Sequence, residues 1–485
     1  MDRTDFEMML TRHPLPLNQV FVQAIYNFLR HETQIVARRA ESVVVVPLHD
    51  GADAGLVARG LATSLAKIGT AHHQAPPAND ETASYGHSHD AVIRNEALES
   101  QFDFIVYEAQ SELSAWTRRA FRQADQVVFV ASCDSMPSMG VMEQALMQEP
   151  GFVMKRRHLV VLYGNETVRP SAASLWRHGR DVERVYPVRA NRGSDHDRLA
   201  RFLTGTATGI VLGGGGARGF AHLGVLRAIE SSGLALDLIG GNSMGALIGA
   251  QYACDVPLDE IRERTQRFAL GGERPTIPVI SLMAGKRVQR DLKIMFGDIQ
   301  VDALWRSYFA AACNLTKGCT TVQESGPLWR AVLASNSPAG LFPPVLHEGD
   351  LLVDGAILDN VPVSSMRQRL GVASEKRRGN GTIIAVDVDV QQDMGVSPDL
   401  SRLSMWSTLR GRFGAKANRS PGIGDILYRA GHIGGLNQRA QTIAEADHYL
   451  EPPVGRFSMM SYRSSADIVE VGYRYAMEKM EEWSR

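Results

Sequence analysis

Two closely spaced glycine-rich turns constrain most strongly what this chain can fold into. The first is Leu212–Gly219 and the second is Gly241–Gly245. Each turn follows a short apolar run, Gly209–Leu212 or Leu236–Gly240, of the kind found in buried strands. Each also precedes a helix-like segment, and these segments are Phe220–Ser231 and Met244–Ala253. The sequence therefore predicts strand, tight turn and helix twice in succession.

The second turn, Gly241-Asn242-Ser243-Met244-Gly245, has the pattern Gly-x-Ser-x-Gly of a nucleophile elbow. In an elbow the serine occupies a strained corner, and glycines remove the Cβ atoms that would clash there. The N-terminus of the following helix directs partial positive charge at the reacting centre. Because so short a pattern also arises by chance, the alternative is that Gly241–Gly245 is an ordinary turn without a catalytic role.

The first turn exposes consecutive backbone N–H groups that can approach a substrate oxygen closely, as an acyl-transfer site requires. Arg218 would steady this loop or attract an anionic group. A dinucleotide-binding turn is the alternative, because Gly214, Gly216 and Gly219 fit Gly-x-Gly-x-x-Gly after a strand. That motif requires an acidic residue about 20 positions later, at the end of a second strand. Asp237 lies near this distance but precedes its strand, which counts against ribose binding.

A third element is Asp354, which follows the apolar run Leu351–Val353 and precedes the small residues Gly355 and Ala356. A carboxylate at a strand end with small neighbours can approach another backbone closely. It could then accept the proton of Ser243 as a general base. An aspartate in a β-turn is the alternative interpretation.

Together, Gly-Gly-Gly-x-Arg-Gly, Gly-x-Ser-x-Gly and Asp-Gly-Ala resemble the motifs of the patatin-like phospholipases, a family described as lipid acyl hydrolases with a Ser-Asp dyad. The resemblance is to the bacterial branch and to the catalytic region of neuropathy target esterases, and it covers about residues 205–395. Four further segments share it: Phe220–Leu226, Asn314–Gly318, Leu341–Val345 and Leu358–Pro362. The fold that this resemblance implies is a three-layer α/β/α catalytic domain.

The resemblance also implies a role for each matching residue. Ser243 is the nucleophile, Asp354 is the base, and the oxyanion hole consists of Gly214, Gly215 and Gly216. The supporting motif residues are Arg218, Gly219, Gly241, Gly245, Gly355 and Ala356.

The chain departs from the family pattern at two positions without losing a functional group. Asn242 stands where Thr or Gly is commoner, and Ala356 stands where Gly is commoner. A Ser-His-Asp triad is the alternative to the dyad, and His222 and His347 are the histidines nearest the motifs. Members of the family are regarded as lacking a catalytic histidine, so the dyad is the prediction.

Composition and charge argue against a nucleic-acid-binding, secreted or membrane-spanning protein. The net charge of −1 gives no bulk basic character for binding nucleic acid. The four cysteines have neither metal-binding nor disulfide spacing, which suits a reducing compartment. No signal peptide follows Met1, and no apolar run is long enough to span a membrane. We therefore expect a cytoplasmic protein that contacts the inner membrane surface peripherally if its substrate is a lipid.

The sequence predicts four regions: a helical lead-in at 1–40, a Rossmann-like parallel α/β domain at 41–205, the catalytic domain at 206–395, and a linker with a helical cap at 396–485. The second region has no phosphate-binding pattern after its first strand, so we predict a structural or regulatory role for it. Cyclic-nucleotide-binding modules lie upstream of the catalytic region in neuropathy target esterases, and we expect none in this chain.

The predicted function is a serine acyl hydrolase for phospholipids or lysophospholipids that uses no metal or cofactor. His72, His73, His87 and His89 lie in or beside a polar stretch without further ligands, so no metal site is predicted. A soluble carboxylesterase or thioesterase, and a non-catalytic nucleotide-binding or scaffold protein, remain alternatives. A basic amphipathic surface around Ile277–Phe296, or the basic run Arg410–Gly424, could contact anionic lipid headgroups. A solvated surface or a mobile linker is the alternative for these charges.

Overall fold

The structure is a computed structural model that describes residues 41–77, 97–371, 381–389, 434–435 and 438–483. The predicted lead-in at 1–40, the pair His87 and His89, and the basic run Arg410–Gly424 lie outside the described residues. The described residues form two compact units. The first extends to Ala131 and includes Met139–Leu159, whereas the second includes Ser132–Ser138 and continues from Val160. The boundaries at residues 40, 205 and 395 remain predictions.

Strands and helices alternate in the N-terminal part of the chain. They are β1 (Glu41–Pro47), α1 (Ala54–Leu65), β2 (Ala71–Gln74), β3 (Phe104–Glu108), α2 (Ala115–Gln123), β4 (Gln126–Ser132), α3 (Val141–Met147), β5 (Arg156–Tyr163), α4 (Ala173–Arg177), β6 (Arg184–Arg189) and α5 (Gly193–Leu203). β1 pairs in parallel with β3 on one side and with β4 on the other, and β2 extends the sheet beyond β3. Every residue of β1 is buried, as expected of a central parallel strand that is covered on both faces. The predicted Rossmann-like parallel α/β architecture is confirmed.

The remaining elements build a second sheet. They are β7 (Thr208–Leu212), α6 (Ala221–Ser232), β8 (Leu238–Gly241), α7 (Met244–Ala253), α8 (Leu258–Leu270), α9 (Lys286–Phe296), β9 (Ser307–Asn314), β10 (Cys319–Gln323), α10 (Leu328–Ser335), β11 (Val345–His347), β12 (Asp350–Asp354), α11 (Val363–Leu370), β13 (Thr382–Val386), β14 (His448–Leu450) and α12 (Ser465–Trp483). The strand order is β11-β12-β9-β8-β7-β13-β14, and β10 also pairs with β9. The neighbouring strands β9, β8, β7, β13 and β14 all pair in parallel. β10 and β12 each pair antiparallel with β9, and β11 pairs antiparallel with β12.

Strand β7 shows how the layers form around the sheet. Gly209 faces Met366 of α11, whereas Leu212 approaches Gly249 of α7. These two strand residues lie on opposite faces because side chains alternate along a strand. Helices therefore cover both faces, and the predicted three-layer α/β/α domain is confirmed.

Two predicted elements differ from the structure in extent. The sequence predicts a mainly helical insert at about Asp255–Arg306, whereas the structure has α8 and α9 there together with a loop at 271–285. The sequence also predicts a core strand at Ile383–Val390, whereas β13 ends at Val386. In the described part of the chain, no helix is both long enough and apolar enough to cross a membrane.

Candidate active site

Ser243 follows β8 and Asp354 ends β12, and these two strands lie on either side of β9. β8 pairs in parallel with β9 and places Gly241 opposite Ala310, whereas β12 pairs antiparallel and places Asp354 opposite Ala312. Ser243 lies two residues beyond Gly241, and Ala312 lies two residues beyond Ala310. Strand pairing therefore brings these two side chains to the same level of the sheet.

Ser243 has the backbone conformation of a nucleophile elbow. Its φ of 51° and ψ of −122° are rare for a residue that carries a side chain. It directly precedes α7, and a Cβ at Gly245 would collide with the carbonyl oxygen of Leu212. Ser243 is partly exposed, whereas its neighbours Asn242 and Met244 are buried.

Hydrogen bonds from α10 hold the strained peptide of Ser243. Its N–H donates to Ser335 Oγ at 2.9 Å, and its carbonyl oxygen accepts from Asn336 Nδ2 at 2.8 Å. Ser335 Oγ in turn donates to Asn242 Oδ1 at 3.2 Å. The sequence analysis does not identify Ser335 or Asn336, although the polar run Ser335-Asn336-Ser337 directly follows the apolar segment Leu328–Ala334 and was an available signal.

Asp354 is buried, and its surroundings connect it to the elbow. Its N–H donates to the carbonyl oxygen of Ser337 at 2.9 Å, and its Oδ1 accepts from the N–H of Ala356 at 3.0 Å. The N–H of Gly355 donates to Asn242 Oδ1 at 3.0 Å. The residue after the predicted base is therefore bonded to the residue before the predicted nucleophile.

The glycine-rich loop lies against Ser243. A Cβ at Gly214 would stand 3.0 Å from the Cβ of Ser243. The N–H of Gly214 donates to Asn360 Oδ1 at 3.1 Å, and Asn360 Nδ2 donates back to the carbonyl oxygen of Gly214 at 3.3 Å. In the part of the chain that the structure describes, the N–H groups of Gly215 and Gly216 are left without a protein acceptor.

The C-terminal segment between β14 and α12 supports the other side of this loop. Arg218 is buried, and its Nε donates to the carbonyl oxygen of Phe457 at 2.8 Å. The N–H of Ala217 donates to the carbonyl oxygen of Met459 at 2.8 Å. Gly219 packs against Met244, where a Cβ would collide with that side chain. Arg218 thus steadies the loop.

His222 and His347, the two histidines considered for a Ser-His-Asp triad, have different surroundings in the structure. His222 is fully buried, and its Nε2 bonds to the carbonyl oxygen of Gly213 at 2.8 Å. Burial lowers the pKa of His222 to about 4, so the imidazole is neutral near pH 7 and donates this hydrogen bond. His347 lies on β11, opposite Asp350 of β12. His222 therefore holds the glycine-rich loop in place.

Asp237 is the acidic residue that a dinucleotide-binding turn would use, but its carboxylate binds other groups of the protein. It is buried and forms a bidentate ion pair with Arg201 at 2.7 and 2.9 Å. Its Oδ2 also accepts the N–H of Thr208 at 3.0 Å. Both contacts lie where β7 and β8 begin, whereas the glycine-rich loop follows the end of β7. This arrangement does not fit ribose recognition by the loop.

Comparison with known families agrees with this geometry. Residues 210–367 match the family model described as patatin-like phospholipase. The chain carries a patatin-like phospholipase domain. Residues 93–182, upstream of this patatin-like domain, match a model described as the Neuropathy Target Esterase family P-loop like domain.

Several curated proteins are similar to the patatin-like chain. Patatin-like phospholipase domain-containing protein 6 of Homo sapiens is 32% identical over 420 residues, which is 79% of this chain and 30% of that protein. Neuropathy target esterase sws of Drosophila melanogaster is 29% identical, with 78% of this chain and 29% of that protein covered. Lysophospholipase nte1 of Emericella nidulans is 28% identical, with 79% and 28% covered. The chain thus spans less than a third of the length of these relatives.

The sequence predicts no phosphate site at the turn after β1, which lies upstream of the P-loop-like match at 93–182. The turn after β1 ends at Asp53, whose Oδ1 accepts the N–H of Leu56 at the start of α1 at 2.8 Å. A Cβ at Gly55, also at this helix start, would stand 2.7 Å from the Oε1 atom of Glu108. Helix N-termini bind phosphate through free N–H groups and positive charge, and two carboxylates oppose this. The residues present therefore do not fit a nucleotide phosphate at this turn.

His72 and His73 are two of the four histidines for which no metal site is predicted. His73 Nε2 lies 2.9 Å from Glu108 Oε2, and the ring of His72 stacks on Phe102 with centroids 5.0 Å apart. Both histidines thus have protein contacts.

Proposed function

We propose that this chain is a serine acyl hydrolase that cleaves carboxyl esters of phospholipids or lysophospholipids with Ser243 and Asp354. The observation that carries the proposal is the link between its three motifs. Asn242 contacts Gly355 and Asn360, and Asn360 contacts Gly214. The strained serine, the buried carboxylate and the glycine-rich loop thus belong to one hydrogen-bonded assembly, as acyl transfer requires.

The chemistry follows from these positions. Ser243 Oγ attacks the ester carbonyl while Asp354 accepts the hydroxyl proton, and the carbonyl oxygen becomes an oxyanion. Asp354 then returns the proton to the leaving alcohol as the tetrahedral intermediate collapses to an acyl-serine. Water then attacks the acyl-serine with Asp354 again as base. Asp354 returns that proton to Ser243 Oγ as the second tetrahedral intermediate collapses and releases the fatty acid. No metal or cofactor takes part in these steps.

The oxyanion is stabilised by backbone donors that are already in place. We assign this role first to the N–H groups of Gly215 and Gly216, since Gly214 donates to Asn360. Gly214 can contribute only if that hydrogen bond is exchanged during the reaction. Each such donor is commonly worth about 10²–10³ in rate. The N-terminus of α7, which begins at Met244, adds partial positive charge at the same place.

The substrate class rests on the relatives together with the site. Their names include a lysophospholipase and a neuropathy target esterase, which favours lysophospholipids over diacyl lipids. Because such substrates reside in membranes, peripheral contact with a bilayer belongs to the same proposal. A soluble carboxylesterase or thioesterase would use the same residues on smaller acyl compounds.

The test is fatty-acid release from lysophosphatidylcholine and from phosphatidylcholine by wild type, Ser243→Ala and Asp354→Asn. We expect release from at least one lipid, and its loss in both variants while their circular dichroism stays that of wild type. Hydrolysis of short-chain esters alone, unchanged by vesicles, would favour the soluble esterase. No hydrolysis of any ester would favour the scaffold alternative.

A further inference from the structure

The loop that joins α8 to α9 carries an exposed apolar tip, Ile277-Pro278-Val279-Ile280. Ile277, Val279 and Ile280 are 80%, 84% and 72% exposed. Contiguous exposed apolar residues of this size mark interaction sites on proteins that are otherwise well packed. This tip therefore has the character of a site for an apolar partner.

The base of the loop is fixed, so the exposure of the tip is built into the fold. Pro275 and Met283 form a bridge, and the N–H of Thr276 donates to the carbonyl oxygen of Leu282 at 3.0 Å. The N–H groups of Leu282 and Met283 donate to the carbonyl oxygens of Gly340 and Leu341, each at 2.9 Å. The loop thus stands on residues 338–342 as a short projection.

The backbone of the tip is suited to a medium poor in water. Pro278 has no N–H group, and the N–H of Val279 donates to the carbonyl oxygen of Ile277 at 2.8 Å. Two of the four tip residues therefore present no free donor, which reduces the cost of leaving water. The four side chains themselves carry no polar atom.

Charges beside the tip indicate which apolar partner it meets. Residues 273–291 contain four basic and two acidic side chains, a net charge of +2. Both acids are engaged: Glu273 accepts the N–H groups of Arg287 and Val288, and Asp291 pairs with Arg287. The exposed cations that remain include Arg274 and Lys286. An apolar tip flanked by cations complements an anionic bilayer, with its apolar interior and negative surface.

The loop is also connected to the active site. Residues 338–342, on which it stands, directly follow Ser337, and the carbonyl oxygen of Ser337 accepts the N–H of Asp354 at 2.9 Å. Only this short segment separates the tip from the strand end that carries the proposed base. Contact of the tip with a membrane would therefore hold the site beside its lipid substrate.

We propose that Ile277, Val279 and Ile280 insert into the interfacial layer of an anionic phospholipid bilayer and dock the active site there. This inference rests on the proposed lipid hydrolase function for its purpose. The partner is the bilayer surface itself.

The experiment compares Val279→Glu with Val141→Glu in the full chain. Val141, at the start of α3, is also 84% exposed, so the two variants make the same substitution at equal exposure. Vesicles of phosphatidylcholine and phosphatidylglycerol supply the surface. Three quantities are measured: co-sedimentation with vesicles, fatty-acid release from vesicle-borne lysophosphatidylcholine, and hydrolysis of p-nitrophenyl butyrate without vesicles.

We expect Val279→Glu to weaken vesicle binding by about 10-fold or more, because burial of the valine is lost. Release from vesicles should fall with it, while butyrate hydrolysis stays that of wild type and Val141→Glu changes nothing. Wild-type-like binding by Val279→Glu, an equal loss in Val141→Glu, or no binding of wild type to vesicles would each overturn the proposal. Failure of wild type to hydrolyse any ester would contradict the enzymatic function alone, since sedimentation still decides the docking.

Discussion

Asn242 and Gly355 are joined by a hydrogen bond of 3.0 Å, from the N–H of Gly355 to the Oδ1 atom of Asn242. This bond fixes the distance between the backbone that precedes Ser243 and the backbone that follows Asp354. It also gives a physical reason for an asparagine where the family pattern more often has Thr or Gly, since Asn242 contacts Ser335 and Asn360 as well.

Substitution of Asn242 by alanine should therefore lower both kcat and the stability of the fold. The buried N–H of Gly355 and the hydroxyl of Ser335 would lose their acceptor, at a cost of about 1–3 kcal/mol each in stability. Misplacement of reacting groups by about 1 Å can cost about 100-fold in rate, and we expect kcat to fall by this order. Asn191→Ala, at an exposed position, is the control. A wild-type kcat for Asn242→Ala would contradict the bridging role.

Ser335→Ala should lower kcat by removing the acceptor of the Ser243 N–H. Of the two hydrogen bonds from Ser335 and Asn336 to the backbone of Ser243, only the one from Asn336 would then remain. We expect kcat to fall by about 10-fold or more. Ser337→Ala is a matched control, because Ser337 is equally buried and its hydroxyl donates to Leu333 rather than to the site. Both variants are compared by kcat on a short-chain ester and by their urea midpoints. Equal effects of the two substitutions would contradict a specific role for Ser335.

His222 should make the fold less stable in mild acid. Its pKa falls from 6.5 to about 4 on folding because of burial, so between these values the unfolded chain binds the extra proton. The free energy of unfolding should therefore decrease as pH falls from about 6.5 towards 4, by up to about 3 kcal/mol from this residue. Urea denaturation of wild type and His222→Gln at a series of pH values measures the difference.

Asp359 supplies a control of opposite sign. Burial, with the nearby Glu445, raises its pKa to about 6, so the native state holds a proton that the unfolded chain releases. Its contribution to stability is present at low pH and is lost as pH rises through 6. Asp359→Asn should therefore raise the free energy of unfolding relative to wild type above pH 6. If the stability difference between wild type and His222→Gln does not vary with pH, the lowered pKa of His222 is contradicted.

The crossing of α6 and α12 should tolerate no side chain at its glycines. A Cβ at Gly224 would collide with the backbone of Val469 and Tyr473, and one at Gly472 would collide with Ala221. Alanine at either position should cost roughly 1–3 kcal/mol in the free energy of unfolding. Gly193→Ala, where a Cβ meets nothing within 4 Å, should be neutral when measured in the same way. An undiminished urea midpoint for Gly224→Ala would contradict the close packing.

The elements around the two turns could be predicted from the sequence because local signals agree there. An apolar run bounded by glycines predicted β7 within one residue, and the helix Met244–Ala253 begins and ends as predicted. These signals act over short distances: glycines permit the turns, and apolar side chains fill the buried strand and helix.

The rest depends on contacts between distant parts of the chain. β9 is rich in alanine, a poor strand former, and it becomes a central strand only because β8 and β12 pair with it. The hydrogen bonds that the N–H of Gly214 donates to Asn360 and the N–H of Ser243 donates to Ser335 join residues far apart in sequence, and no local pattern predicts them. The proposed site was therefore predictable as motifs, whereas the network that positions it was not.

Covalent labelling by a fluorophosphonate tests the central claim, that Ser243 is an activated nucleophile, most directly. Digestion and mass spectrometry of the labelled chain should find the adduct on the peptide that contains Ser243, with no labelling of Ser243→Ala and slower labelling of Asp354→Asn. An adduct on another residue, or equal labelling of Ser243→Ala, would contradict the account.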